Sequence, residues 1–179
     1  MSPVKRHRTA TAHTDIEAVA KARIPLVGLP PDLVRKKIFS DKNWLEIIRD
    51  GDAIVEANVM CYTDGSRLRS AADGINRAGA GYLIVGGENE SISLGLHASV
   101  FQAEVVAIDA VVHCLLRQGT RDKTIAIHSD SQAAIRALGD VRNSSGIVAA
   151  CRTSLFTLAS KNTVSLVWVR GHVGIEGNE

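Results

Sequence analysis

The feature that most narrows the fold is a change of hydrophobic period partway along the chain. Val59 to Thr63 is a short apolar strand ending in Asp64-Gly65-Ser66, which reads as turn chemistry. Ala78 to Val85 and Ser91 to His97 read as two more strands, joined by Gly86-Gly87-Glu88-Asn89-Glu90, a stretch that suits a hairpin. Then Phe101, Val105, Ile108, Val112 and Leu115 recur every three or four residues, the spacing of an amphipathic helix that stops near Gly119. A strand over 123–128, helices over 131–138 and 147–159, and a strand over 164–169 complete a β-β-β-α-β-α-α-β order. Consecutive strands predict an antiparallel meander, and strand-helix-strand units predict right-handed parallel crossovers. The expected class is α/β: a mixed five-stranded sheet, three antiparallel strands and then parallel ones, flanked by helices.

Upstream of this pattern the signals are weaker. Residues 1–14 carry Lys5, Arg6, His7 and Arg8 among Ser, Thr and Ala with no acid, and read as a basic disordered arm. The same composition also suits a transit peptide or an arm that touches nucleic acid. From Asp15 to about Ala57, Ile38, Trp44, Leu45 and Ile48 are spaced roughly for helix, with a break at Gly28-Leu29-Pro30-Pro31. The domain reading is thus an arm and helical linker over 1–57 and a folded domain over 58–179.

Composition excludes more than it selects. With 45% hydrophobic and 22% charged residues, the 179-residue chain has the make-up of a globular domain. Its net charge of +2 neither demands nor forbids a nucleic-acid partner. Cys61, Cys114 and Cys151 are far apart and odd in number, which argues against a disulfide framework or a zinc site. No apolar run approaches the roughly 18 residues of a membrane span, and no secretory h-region opens the chain. An intracellular protein, cytoplasmic or nuclear, is expected.

Three acids stand out by position: Asp64 after the first strand, Glu104 near the apolar side of the long helix, and Asp130 after the fourth strand. In mixed sheets, side chains converge at the carboxyl ends of neighbouring parallel strands. Crowded carboxylates repel, so such a cluster takes up a proton or a cation, and magnesium prefers oxygen ligands. Taken singly, Asp64 is as well explained as a turn former and Asp130 as a helix cap.

Four ordered segments carry a resemblance that changes this balance. Tyr62-Thr63-Asp64-Gly65-Ser66, Ser99-Val100-Phe101-Gln102-Ala103-Glu104, His128-Ser129-Asp130-Ser131-Gln132-Ala133-Ala134-Ile135 and the stretch from Trp168 to Glu179 resemble the signatures of type 1 ribonuclease H domains. The second segment is similar to the retrotransposon form, and Gly28-Leu29-Pro30-Pro31-Asp32-Leu33 resembles the connection after a reverse transcriptase in non-LTR elements. The resemblance implies that Asp64, Glu104 and Asp130 hold two divalent ions, Mg²⁺ with Mn²⁺ as the alternative, against the RNA strand of an RNA-DNA hybrid. It implies metal-assisted in-line hydrolysis leaving 5′-phosphate and 3′-hydroxyl ends. It also implies an auxiliary proton-handling role for His172, a place near the site for Glu179, and hybrid contacts from Ser66 and Gln132.

The pattern departs from the family in two places. The family's fourth carboxylate opens a last helix beyond Gly-Asn-Glu, and this sequence ends at Glu179, so the expectation is a last helix missing and apolar sheet surface left open. The 139–146 segment is too short for the basic extra helix that some ribonucleases H use to grip the hybrid, which leaves Arg142 alone there. The alternatives are a catalytically inactive nucleic-acid-binding remnant of a polyprotein, or a transposase or integrase with a similar acidic core.

Overall fold

The computed structural model of the protein describes residues 36–39, 44–48, 55–70, 73–140, 142–143 and 145–170. In chain order the elements are β1 (Lys36–Phe39), β2 (Trp44–Ile48), β3 (Val59–Arg69), β4 (Asn76–Ile84), β5 (Asn89–Gly95), α1 (Val100–Arg117), β6 (Thr124–Ser129), α2 (Gln132–Gly139), α3 (Gly146–Ala159) and β7 (Thr163–Trp168). They form one sheet in the order β1-β2-β7-β6-β3-β4-β5. The expected five strands are present as predicted, β3-β4-β5 antiparallel and β3-β6-β7 parallel.

Two differences from the sequence reading have physical causes. The stretch with helical spacing around Ile38 to Ile48 forms two strands instead, an antiparallel hairpin whose second strand runs parallel to β7. The outer edge of β7 offers a row of unpaired backbone groups, and satisfying that edge outweighs a weak local preference for helix. The second difference is that β3 does not turn at Asp64-Gly65-Ser66. It continues to Arg69, because β4 supplies partners for every residue from Cys61 to Arg69.

The crossovers between the parallel strands place the helices on one face of the sheet. The β3-to-β6 and β6-to-β7 connections both move toward the β7 side, and α1 packs on α3, so their helices share one face of the sheet. On the other face Val55 and Ala57 pack against Ala126, Val167 and Val169. The apolar surface expected to lie open is therefore covered over β6 and β7, where Ala126 and Val167 are fully buried. Over β3 that face is more open, with Met60 and Leu68 exposed.

The main core lies between the sheet and the helices, where α1 contributes nine buried residues and packs chiefly on β3 and β4. At its rim Arg152 of α3 reaches under the end of α2. Its guanidinium donates to the carbonyls of Leu138, Ala137 and Asp140 at 3.2, 3.1 and 2.7 Å. These are among the carbonyls a helix leaves without partners at its C-terminus, where a cation is also favoured. Arg152→Met should lower stability by about 3 kcal/mol, because those buried carbonyls lose their donors. Urea unfolding of the two proteins measures this, and a loss below about 1 kcal/mol would show that water satisfies the end of α2 as well.

Candidate metal centre

Asp64 sits in the middle of β3 and not at its end, on the face away from the helices. Ladder pairing of β3 with β6 stops at Thr63 and Ser129, so beside Asp64 the sheet opens. Asp130 follows β6 by one residue, and Ser131 caps α2 by accepting the Ala134 amide at 3.3 Å. The cap was legible as an acid before a helix, although the capping side chain is Ser131 and not Asp130.

Glu104 reaches the same opening from the helix side. Ser99 and Gln102 form a capping box, in which Ser99 Oγ accepts from the Gln102 amide at 3.2 Å and Gln102 Oε1 accepts from the Ser99 amide at 2.8 Å. This fixes where α1 starts and so which residue of its second turn faces β3. The Ser-x-x-Gln spacing inside the second signature carried that signal. The helix then approaches β3 so closely that a Cβ on Gly65 would lie 2.3 Å from the Glu104 backbone nitrogen. Only glycine fits, because the clash is with backbone and not with a movable side-chain end. Gly65→Ala should cost about 3 kcal/mol and push α1 away from the sheet. Thermal unfolding tests it, and a variant of native stability would mean that α1 can shift at no cost.

Together these approaches bring one carboxylate oxygen from each of Asp64, Glu104 and Asp130 within 4.8 Å of one another. Asp64 is exposed, Asp130 half-buried and Glu104 only 5% exposed. The pKa of Glu104 is pushed up to about 8, by burial first and then by the neighbouring charges of Asp130 and Asp64, against a lowering hydrogen bond from the Gly65 backbone. Its Oε2 is buried without a hydrogen-bond partner. A buried acceptor without a donor, beside two more carboxylates, is a site with a cation's shape and charge. All-oxygen donors suit a hard divalent ion over a thiophilic one.

Small tethers hold the acids in place. Thr63 Oγ1, next to Asp64, donates to the His128 carbonyl at 3.0 Å, tying β3 to β6 one step before the cluster. The His128 ring stacks on Tyr62 at 4.8 Å between centroids, and its Nδ1 lies 3.0 Å from the Cys61 carbonyl. Burial pushes the His128 pKa down, which keeps the ring neutral and that nitrogen the donor.

Of the other residues singled out in the sequence, Ser66 lies two positions past Asp64 on the same face of β3. There it lines a trough with Gly79, Gly81, Ser91 and Ser93 that runs away from Asp64. Gln132 is exposed on the first turn of α2, where its Oε1 accepts from Arg136 at 3.0 Å. Arg136 is a cation one helical turn from the cluster that the sequence reading passed over. Arg142 is held by Asp140, with Nε 3.0 Å from its carboxylate. His172 and Glu179 lie outside the described residues.

Fold and site together define an α/β protein with an acidic cluster where the parallel pairing of β3 and β6 ends, a group of side chains that could hold a metal ion. The sequence model of the RNase H family matches residues 56–179, more than half the chain, and the protein belongs to that family. The match starts at Glu56, so β1 and β2 precede it. No curated protein matches the chain.

Proposed function

We propose that this protein is a metal-dependent endonuclease that hydrolyses the RNA strand of RNA-DNA hybrids, from the reverse-transcription polyprotein of a retrotransposon acting inside the cell. The observation that carries the reading is the convergence of Asp64, Glu104 and Asp130 around the unpartnered Glu104 oxygen, in a chain of the RNase H family. Two Mg²⁺ ions, or Mn²⁺, held by these acids would supply Lewis acidity toward the attacking water and the leaving 3′ oxygen. The three acids would hold that charge in place, and the burial of Glu104 on the helix side would limit its solvation.

Substrate form follows from the surface around the cluster. Glycines and short hydroxyl side chains at Ser66, Gly79, Gly81, Ser91 and Ser93 line much of the trough, with Leu68 and Arg77 also along it. Short hydroxyl side chains suit sugar 2′-hydroxyl and phosphate contacts, which sense A-like shape and not base sequence. Gln132 with Arg136 borders the cluster on the α2 side and supplies a positive contact for a phosphate. His172 is assigned proton transfer at the departing product and Glu179 an auxiliary acid, on the strength of the motif that contains them. A reverse transcriptase domain in the same polyprotein is the proposed partner, which would raise the local concentration of hybrid.

The test is cleavage of a labelled RNA-DNA hybrid, compared with RNA and DNA duplexes of the same sequence, with and without Mg²⁺. Mg²⁺-dependent cutting of the hybrid's RNA strand alone is the expected result. Equal cutting of duplex DNA would favour a transposase-like activity. Tight hybrid binding with no cutting in Mg²⁺ or Mn²⁺ would establish the non-catalytic remnant.

A further inference from the structure

We infer that Trp168 is a positioning residue for the metal centre, acting through the backbone of Asp130; the inference rests on the proposed reading of the acidic cluster as a metal site. Strand β6 ends at Ser129, and its last ladder bond to the neighbouring strand is donated by the Val169 amide to the Ser129 carbonyl at 3.0 Å. The next carbonyl, that of Asp130, is past the sheet. It would be positioned only by the local turn that leads into α2, in which the Gln132 amide donates to it at 3.1 Å.

The Trp168 indole replaces the missing ladder bond. Its Nε1 donates to the Asp130 carbonyl at 2.9 Å across 38 residues of sequence. Trp168 pairs in register with Ser129, and its ring packs half-buried against the main core, so the donor is held by the sheet and by the packing at once. Three successive carbonyls, His128, Ser129 and Asp130, thus each accept from a neighbouring strand or its extension: from Thr63, from Val169 and from Trp168.

The direction of the Asp130 side chain is set by the two peptide planes that flank its Cα. One belongs to the β6 ladder, and the other is the plane whose oxygen Trp168 holds. Without the indole donor that second plane is held only within the local turn, by the Gln132 amide on its oxygen and by the Ser131 amide donating to Ser129 Oγ at 3.2 Å, and Asp130 loses its tie to β7. Thr63 performs the matching task beside Asp64, so the pair of tethers sets the spacing of the two aspartates. A half-buried indole N–H ordinarily finds some acceptor, and a purely structural role would be satisfied by any carbonyl. What distinguishes this one is that the acceptor is the first peptide beyond the strand and belongs to a residue of the acidic cluster.

Two substitutions isolate the N–H. Trp168→Phe keeps an aromatic ring in the core, and benzothienylalanine introduced at the Trp168 position keeps the shape of the indole with sulfur in place of N–H. Mn²⁺ binding to the full chain is measured by titration calorimetry, and thermal unfolding is measured without metal. The expected result is Mn²⁺ affinity weakened about five- to tenfold in the benzothienylalanine protein, with a metal-free unfolding midpoint close to that of the unmodified protein. In a cleavage assay the same protein should need more Mg²⁺ for half-maximal rate, with kcat restored at saturating metal and KM for hybrid unchanged. If the Phe variant unfolds early, the isosteric one still decides the point. Unchanged Mn²⁺ affinity in the isosteric protein, beside normal binding by the unmodified chain, overturns the positioning role and leaves the metal site standing. No Mn²⁺ binding by the unmodified chain overturns both.

Discussion

Asp64→Asn should reduce Mg²⁺-dependent cleavage of an RNA-DNA hybrid by about three orders of magnitude, the loss expected when several kcal/mol of metal-borne charge stabilisation is removed. The substitution keeps the shape of the side chain and removes one of the three charges that converge within 4.8 Å. Because Asp64 is exposed, its replacement leaves no cavity, and stability should stay within about 0.5 kcal/mol of the parent. The metal-free protein could even gain slightly, since Glu104 loses a repelling neighbour. Initial rates at saturating Mg²⁺, with urea unfolding in parallel, check both halves. A variant that retains a tenth of the parent rate would remove Asp64 from the site.

Glu104 should make stability depend on pH in the direction opposite to that of an ordinary salt-bridged acid. Its pKa stands at about 8 in the folded chain against an ordinary value of 4.5. Between those values the folded protein keeps a proton that the unfolded chain has released. Stability is therefore full below about pH 4.5 and falls as pH rises toward 8. The shift sets a ceiling of about 5 kcal/mol on that fall, and a realised loss of about 3 kcal/mol is expected in metal-free buffer. Saturating Mg²⁺ should cancel most of the slope, because the ion favours the carboxylate that burial disfavours. Glu104→Gln should flatten the metal-free slope, raise stability at pH 8 and abolish the gain from Mg²⁺. Urea unfolding at pH 5, 6.5 and 8 in Mg²⁺ and in chelator measures this. An equal slope in the Gln variant would place the titration elsewhere.

Much of the fold was legible because its local signals were strong. Two strand-like stretches joined by the polar Gly86-to-Glu90 turn marked β4 and β5, the three-to-four period marked α1, and the strand-helix order predicted parallel β6 and β7, whereas the place of β6 beside β3 came from the fold. The hairpin of β1 and β2 was not legible. Its strands are four and five residues long, too short for a period, and what makes them strands is the edge of β7 more than a hundred residues downstream. The continuation of β3 through Asp64-Gly65-Ser66 was hidden for a similar reason. Turn-forming residues extend when a partner strand satisfies their backbone.

The candidate site divides in the same way. The identity of the three acids, and their places after or within core-forming elements, came from the sequence and from its likeness to a family. Their meeting did not. It depends on the close approach that Gly65 permits, on the helix start set by Ser99 and Gln102, and on donors from Thr63 and Trp168 to carbonyls 65 and 38 residues away. The raised pKa of Glu104 follows from that meeting and has no signature in the residues around it.

By itself, then, the sequence determined the order and type of the central elements and which carboxylates were available, because periodicity and local chemistry act over a few residues. The tertiary structure alone decided that residues 36–39 and 44–48 complete the sheet, that Val55 and Ala57 pack on its second face, and that three separated acids converge within 4.8 Å of one another. Those outcomes depend on which backbone edges and carbonyls remain to be satisfied once the core has formed, and that count exists only in the assembled fold.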